Sequence, residues 1–104
     1  MKLKKGIKLI EETVGIGEII KKDDVVEIEL NMWLNNGEQV LKAHRETYRV
    51  GSRKMISGIE YTLEGMRKSG KCKVKISPHL AYGKEGVAET IPPNSVLICE
   101  ILLV

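Results

Sequence analysis

The chain has 104 residues, 42% of them hydrophobic and 30% charged, the balance of one soluble globular domain too short to hold two cores. Aromatic residues make up only 4% and phenylalanine is absent, so the core must come from Ile, Leu, Val and Met. The net charge of +3 is mild, and its lysines alternate with glutamates as on solvated faces. The local basic excess at Lys2, Lys4, Lys5 and Lys8 has no interleaved aromatics to stack bases, which argues against a nucleic-acid partner.

Residues 3–11 read as a strand, with Leu3, Ile7, Leu9 and Glu11 on one phase and lysines on the other. Glu11 and Glu12 interrupt this basic stretch before a targeting segment can form, and no apolar run approaches membrane-spanning length. Residues 13–24 contain Gly15, Gly17 and a charged turn and read as a connecting excursion. Val26, Ile28, Leu30, Met32 and Leu34 then alternate with polar residues, the period of a half-buried strand. Asn36-Gly37 is a hairpin signal, since a primed turn needs positive φ at its centre. Residues 38–41 and 46–50 read as further strands.

Ile56, Ile59, Leu63 and Met66 recur at helical spacing and predict an apolar helix face. Ser57 and Glu60 have the spacing of a capping box, and Gly65 or Gly70 can stop the helix. Cys72, Val74 and Ile76 mark another alternating strand. The run over residues 96–104 carries only Glu100 as a charge and predicts a central strand buried on both sides. Cys72 and Cys99 fall on apolar strand phases outside any CxxC arrangement. They read as buried free thiols, which suits a reducing cytoplasm. His44 and His79 stand alone, so no metal site is expected. Trp33 lies on the polar phase of its strand and reads as surface packing or as an anchor for a partner. Many antiparallel strands with one short helix give an α+β fold over residues 1–104 as a single domain.

The most specific pattern lies in residues 71–104. A strand runs into Ser77-Pro78, then Ala81-Tyr82-Gly83, a loop, Ile91-Pro92-Pro93-Asn94 and a terminal apolar strand. Two successive prolines preset φ and remove two backbone donors, so this loop cannot join a sheet and should form a stiff flap with Tyr82 at its base. The pattern strongly resembles the FKBP-type peptidyl-prolyl cis-trans isomerases, whose hallmark reads roughly S/P-P-x-x-A-Y-G, a loop, then I-P-P-N-x-x-L. The resemblance extends to residues 25–34 with Asn36-Gly37, to Val50-Gly51, to Met55-Ile56-x-Gly58 and to Leu63-Glu64-Gly65-Met66. It covers essentially everything from Gly6 onward, with a shorter connection near residues 43–45 than the family usually has.

The resemblance implies a five- or six-stranded antiparallel half-barrel curled around one helix, with a ligand cavity between them. It also implies isomerisation of Xaa-Pro bonds in proline-containing peptides or unfolded segments, without a cofactor, by a domain expected to be monomeric. Rotation about a peptide bond meets a barrier of ~18–20 kcal/mol, and an Xaa-Pro bond left to itself exchanges in about tens to hundreds of seconds. No covalent bond is made or broken, so the absence of a catalytic triad does not count against this class. By resemblance the pocket comprises Tyr82, Ile56, Met55, Ile59, Val40, Leu41, Leu30, Tyr48, Ile91 and Cys99.

Several of these depart from the family. Ile59 stands where the family has the tryptophan that floors the pocket, Val40 where it has phenylalanine, and Leu41 where it has aspartate. Leu30 replaces a tyrosine, Cys99 a phenylalanine, and Met55 a common valine. Tyr82, Ile56 and the aromatic at Tyr48 are kept. An aliphatic pocket can still desolvate an Xaa-Pro bond and catalyse weakly. The same replacements also suit a non-catalytic peptide-binding or chaperone module. Both readings stand on the sequence.

Overall fold

A computed structural model describes residues 3–104. Its elements follow in the order β1 (Ile7–Thr13), β2 (Val25–Leu34), β3 (Gln39–Arg49), α1 (Ser57–Leu63), β4 (Lys71–Ile76) and β5 (Leu97–Leu103), with a 3-10 turn at Pro78–Leu80. The strands make one antiparallel sheet in the order β1-β4-β5-β2-β3. The period-two patterns become its inner face: Ile28, Leu30 and Met32 from β2, Cys72, Val74 and Ile76 from β4, and Leu97, Cys99 and Ile101 from β5 are all buried. α1 covers that face with Ile59 and Leu63. It can lie close because position 58 is glycine. A Cβ there would sit 2.5 Å from Ile76 Cγ2 and 2.7 Å from its Cδ1.

Several expectations need correction. The strand read over residues 3–11 is β1, which begins at Ile7 after Gly6 takes φ +98°. Ile7 alone of that strand is buried: β1 is an edge strand, and even Leu9, on the same phase and opposite Val74, stays exposed. Of the basic excess near the start, Lys2 lies outside the described residues, and Lys4 Nζ sits 4.1 Å from the centre of the Tyr61 ring. The excursion does connect β1 to β2 as expected, and it is anchored at Ile20. Ile20 is buried, donates its N–H to Met66 O at 2.7 Å and accepts from Gly65 N at 3.2 Å.

The two strands expected over residues 38–50 are one, β3, continuous through a bulge at Ala43 with φ +47°. Asn31 Oδ1 holds that bulge by accepting from Ala43 N at 2.8 Å and from Gln39 Nε2 at 3.3 Å. No side-chain cap forms at α1, where Ile56 is the N-cap. Glu60, expected in a capping box, instead accepts the Gly51 N–H at 3.0 and 3.3 Å. Met66 is buried beyond the helix end rather than on its face. β5 is central, but its burial alternates: Ile98, Glu100 and Leu102 are half-buried on the outer face. Trp33 is half-buried on that same face, with Lys73 Nζ 5.1 Å from its ring centre.

Candidate functional site

The turn between β3 and α1 lies against the middle of β2 and β3, and the 77–96 loop reaches the same place through Tyr82. Leu30 and Met32 of β2 and Leu41, His44 and Glu46 of β3 form one wall of a hollow of about 410 Å³. Arg53, Lys54, Met55, Ile56 and Ile59 form the opposite wall, and Tyr82 reaches in from the loop. A hollow of about 500 Å³ on the other flank of the 51–57 segment is lined mainly by polar groups such as Lys22, Arg53, Glu60 and Glu64. Its large apolar side chains are Met55 and Tyr61, and no residue of the β2 inner face reaches it.

The loop that carries Tyr82 is built as its prolines and glycines dictate. Leu80 N donates to Ser77 O and Ala81 N to Pro78 O, closing the 3-10 turn at 3.0 and 2.9 Å. Val87 and Ile91 exchange both backbone hydrogen bonds, at 2.8 and 2.9 Å, and Asn94 N donates to Gly83 O at 2.8 Å. Position 86 must be glycine for this clasp. Its φ is +61°, and a Cβ there would lie 2.2 Å from Ile91 O. The flap is thus closed on itself by backbone bonds rather than joined to the sheet.

Two polar groups in this apolar setting lack partners. Among the described residues, neither the Tyr82 hydroxyl nor the Ile56 backbone N–H makes a hydrogen bond. Ile56 owes this to its place as N-cap, where its carbonyl accepts from Ile59 N and Glu60 N while its own donor points away from the helix. Tyr82 is half-buried. Burial raises its phenol above the ordinary value of 10, and the nearby Cys99 adds a smaller push the same way. It therefore remains a proton donor through neutral pH.

The predicted residues separate into lining and support. Tyr82, Ile56, Met55, Ile59, Leu41 and Leu30 face the hollow together. Tyr48 does not line it. It is buried behind the turn, where its hydroxyl accepts from Lys54 N and Met55 N, both at 3.2 Å. Burial is the main cause raising the Tyr48 phenol; Ser52 opposes that rise and Glu60 adds to it. Cys99 is fully buried and Val40 half-buried against the core, while Ile91 lines a neighbouring hollow under the flap.

Met32, His44, Glu46, Arg53 and Lys54 join the wall without having been singled out. Met32 shares the inward phase of Leu30, and Arg53-Lys54 immediately precede Met55-Ile56, so three of the five were within reach. His44 and Glu46 were not, because the Ala43 bulge resets which side chains of β3 face inward.

Residues 17–104 match the sequence profile described as FKBP-type peptidyl-prolyl cis-trans isomerase. The chain belongs to that family. It is 34% identical over 92% of its length to the 46 kDa FK506-binding nuclear protein of Spodoptera frugiperda, and 35% identical over 99% to FK506-binding protein 4 of Chaetomium thermophilum. It spans only 24% and 22% of the lengths of those relatives. The crystal structure of AtFKBP13 superposes with a TM-score of 0.87 at 26% identity, covering 97% of this chain and 93% of that one. A peptidyl-prolyl cis-trans isomerase from Pseudomonas syringae pv. tomato gives 0.86 at 30% identity over 100% and 77%. The five-stranded antiparallel sheet with one short helix is therefore the FKBP fold.

Proposed function

We propose that this site isomerises Xaa-Pro bonds of protein segments, less efficiently than an aromatic-lined site and with no cofactor. The observation that carries the reading is the pair of unpartnered donors, Tyr82 Oη–H and Ile56 N–H, at a hollow walled by Leu30, Met32, Leu41 and Ile59. Each can donate to a carbonyl of a bound segment, fixing the chain on either side of the bond that must turn. The aliphatic walls keep water from the amide. Its twisted form has lost resonance and polarity and so gives up less solvation than the planar one. Each tenfold in rate needs only about 1.4 kcal/mol of such differential binding.

The test is exchange spectroscopy on a blocked Leu-Pro peptide, with cis–trans rates measured with and without protein. Exchange faster than the uncatalysed rate supports the reading, and an unchanged rate at saturating protein overturns it. The second reading, binding without turnover as a peptide-binding or chaperone module, rests on Ile59, which offers no flat surface against which a proline ring can be held. It predicts peptide-induced shifts of Tyr82 and Ile56 with no gain in rate.

In the favoured reading residues 1–104 act as one monomeric domain on proline-containing or unfolded segments. We place it in the cytoplasm on the strength of the buried free thiols Cys72 and Cys99. No helix of the described residues is long and apolar enough to cross a membrane. Two of the relatives are named as nuclear proteins, and the nucleus is a reducing compartment as well.

A further inference from the structure

The two sides of the site carry opposite charge. On the turn side Arg53 and Lys54 are exposed at the hollow's rim. Neither lies within ion-pair distance of a carboxylate among the described residues. The one carboxylate on that rim, Glu46, has Oε1 3.8 Å from His44 Nε2, an ion pair only when that histidine is protonated, so the rim sets two cations against one carboxylate. On the flap side an adjoining hollow of about 430 Å³ is lined by Glu38, Glu85 and Glu89, with Pro92 and Pro93 behind them. These three are exposed, and none has an ion-pair partner among the described residues. Lys84 lies nearby in the chain but does not line the hollow.

The two hollows follow one another along β2. Leu30 and Met32 face the first and Leu34 the second, and successive inward positions on a strand are about 7 Å apart. A bound segment of five or six residues, extended at about 3.3 Å per residue, spans both.

We infer that the preferred substrate is a segment with opposite charges on the two sides of its Xaa-Pro bond, an acidic side chain over Arg53-Lys54 and a basic one over Glu85 and Glu89. This rests on the isomerase reading for its catalytic consequence but not for binding. The apolar walls hold any Xaa-Pro bond. The charged flanks decide which chains are held and in which direction. Exposed ion pairs are weak, so each is expected to contribute only about two- to fivefold. Reversing both flanks turns two attractions into two repulsions, which amplifies the contrast.

The test uses two capped peptides of identical composition, Glu-Ala-Leu-Pro-Ala-Lys and Lys-Ala-Leu-Pro-Ala-Glu, with a glutamine-flanked control. Rates come from exchange spectroscopy and Kd from amide shifts of the isotope-labelled protein. One order should exceed the other by about fivefold or more in kcat/KM. The contrast should collapse at ~1 M salt, where the screening length is ~3 Å. It should shrink in the Arg53→Gln/Lys54→Gln variant and again in Glu85→Gln/Glu89→Gln.

Turnover of both peptides at equal kcat/KM overturns the inference and leaves the isomerase reading intact, as does a contrast that survives both variants. If neither peptide is turned over but the same ordering is seen in Kd, the inference stands and the isomerase reading falls. Absence of binding by either peptide overturns both.

Discussion

Replacing Tyr82 with Phe isolates the chemistry assigned to the site, because it removes one hydroxyl and keeps the ring under the flap. That hydroxyl makes no hydrogen bond among the described residues, and the ring is half-buried. Folding therefore loses no bond when it goes, and stability should change by no more than the ~0.5 kcal/mol typical of substitutions that break nothing. A bound carbonyl does lose its donor. At ~0.5–1.5 kcal/mol for a net hydrogen bond, kcat/KM or peptide affinity should fall about two- to twelvefold.

Tyr48→Phe is the control, since its hydroxyl accepts two backbone N–H groups at 3.2 Å. Removing it leaves those amides unpaired in a partly buried turn and should destabilise the fold by about 1–3 kcal/mol. Thermal melts and exchange spectroscopy on both variants give the comparison. If Tyr82→Phe lowers stability while peptide affinity stays put, the tyrosine holds the flap and the binding role assigned to it is wrong.

Gly58→Ala should destabilise the fold by ~2 kcal/mol, a fall of roughly 10 °C in Tm, because the added Cβ meets Ile76 Cγ2 at 2.5 Å and α1 must move off the sheet; a Tm within a degree of the parent would show the helix free to shift. Ile59→Trp should raise kcat/KM on Leu-Pro peptides by about tenfold, mainly through KM; a well-folded variant with unchanged kinetics would show that the indole surface does not matter here. Stability should fall as pH rises above 9. Burial raises Cys72 from 9.0 to about 11 and Cys99 from 9.0 to about 12, so between 9 and those values the unfolded chain has released protons that the folded chain retains. Tm followed from neutral to alkaline pH should show that slope, and Cys72→Ala/Cys99→Ala should flatten it whatever its effect on stability at pH 7.

The inner face of the sheet was legible because burial on one side imposes a period of two. Val26 to Leu34 on β2 and Cys72 to Ile76 on β4 follow it without a break, and Ile59 and Leu63 follow the helical period in the same way. Legibility ended where the backbone departs from a period. The positive φ of Ala43 keeps β3 continuous while shifting its phase, so His44 and Glu46 reached the site without a sequence signal. Ser57 and Glu60 had capping-box spacing, yet Gly51 offered Glu60 a donor from across the turn, which no local rule contains. The central strand misled for the opposite reason. Ile98 and Leu102 are apolar on an outer face that is only half-buried, where neighbouring lysines and glutamates cover them in part. Ile20 was hidden because its burial depends on backbone bonds to Gly65 and Met66, far along the chain.

The loss of aromatic residues from the wall bears on binding more than on the chemical step. Desolvation scales with apolar area removed from water, and Leu30, Met32, Leu41 and Ile59 supply such area as aromatic residues would. What they cannot supply is a flat face that holds a proline ring in one orientation. In the proposed mechanism the twisted amide must still be favoured over the planar one, a task that falls to the aliphatic walls and to the donors at Tyr82 and Ile56. A deficit that falls equally on the planar and twisted forms raises KM and leaves kcat largely alone. The inferred charge preference would oppose that deficit for segments that match the rim. On the proposed reading, an aliphatic pocket with charged flanks exchanges broad recognition of the proline ring for narrower recognition of what lies beside it.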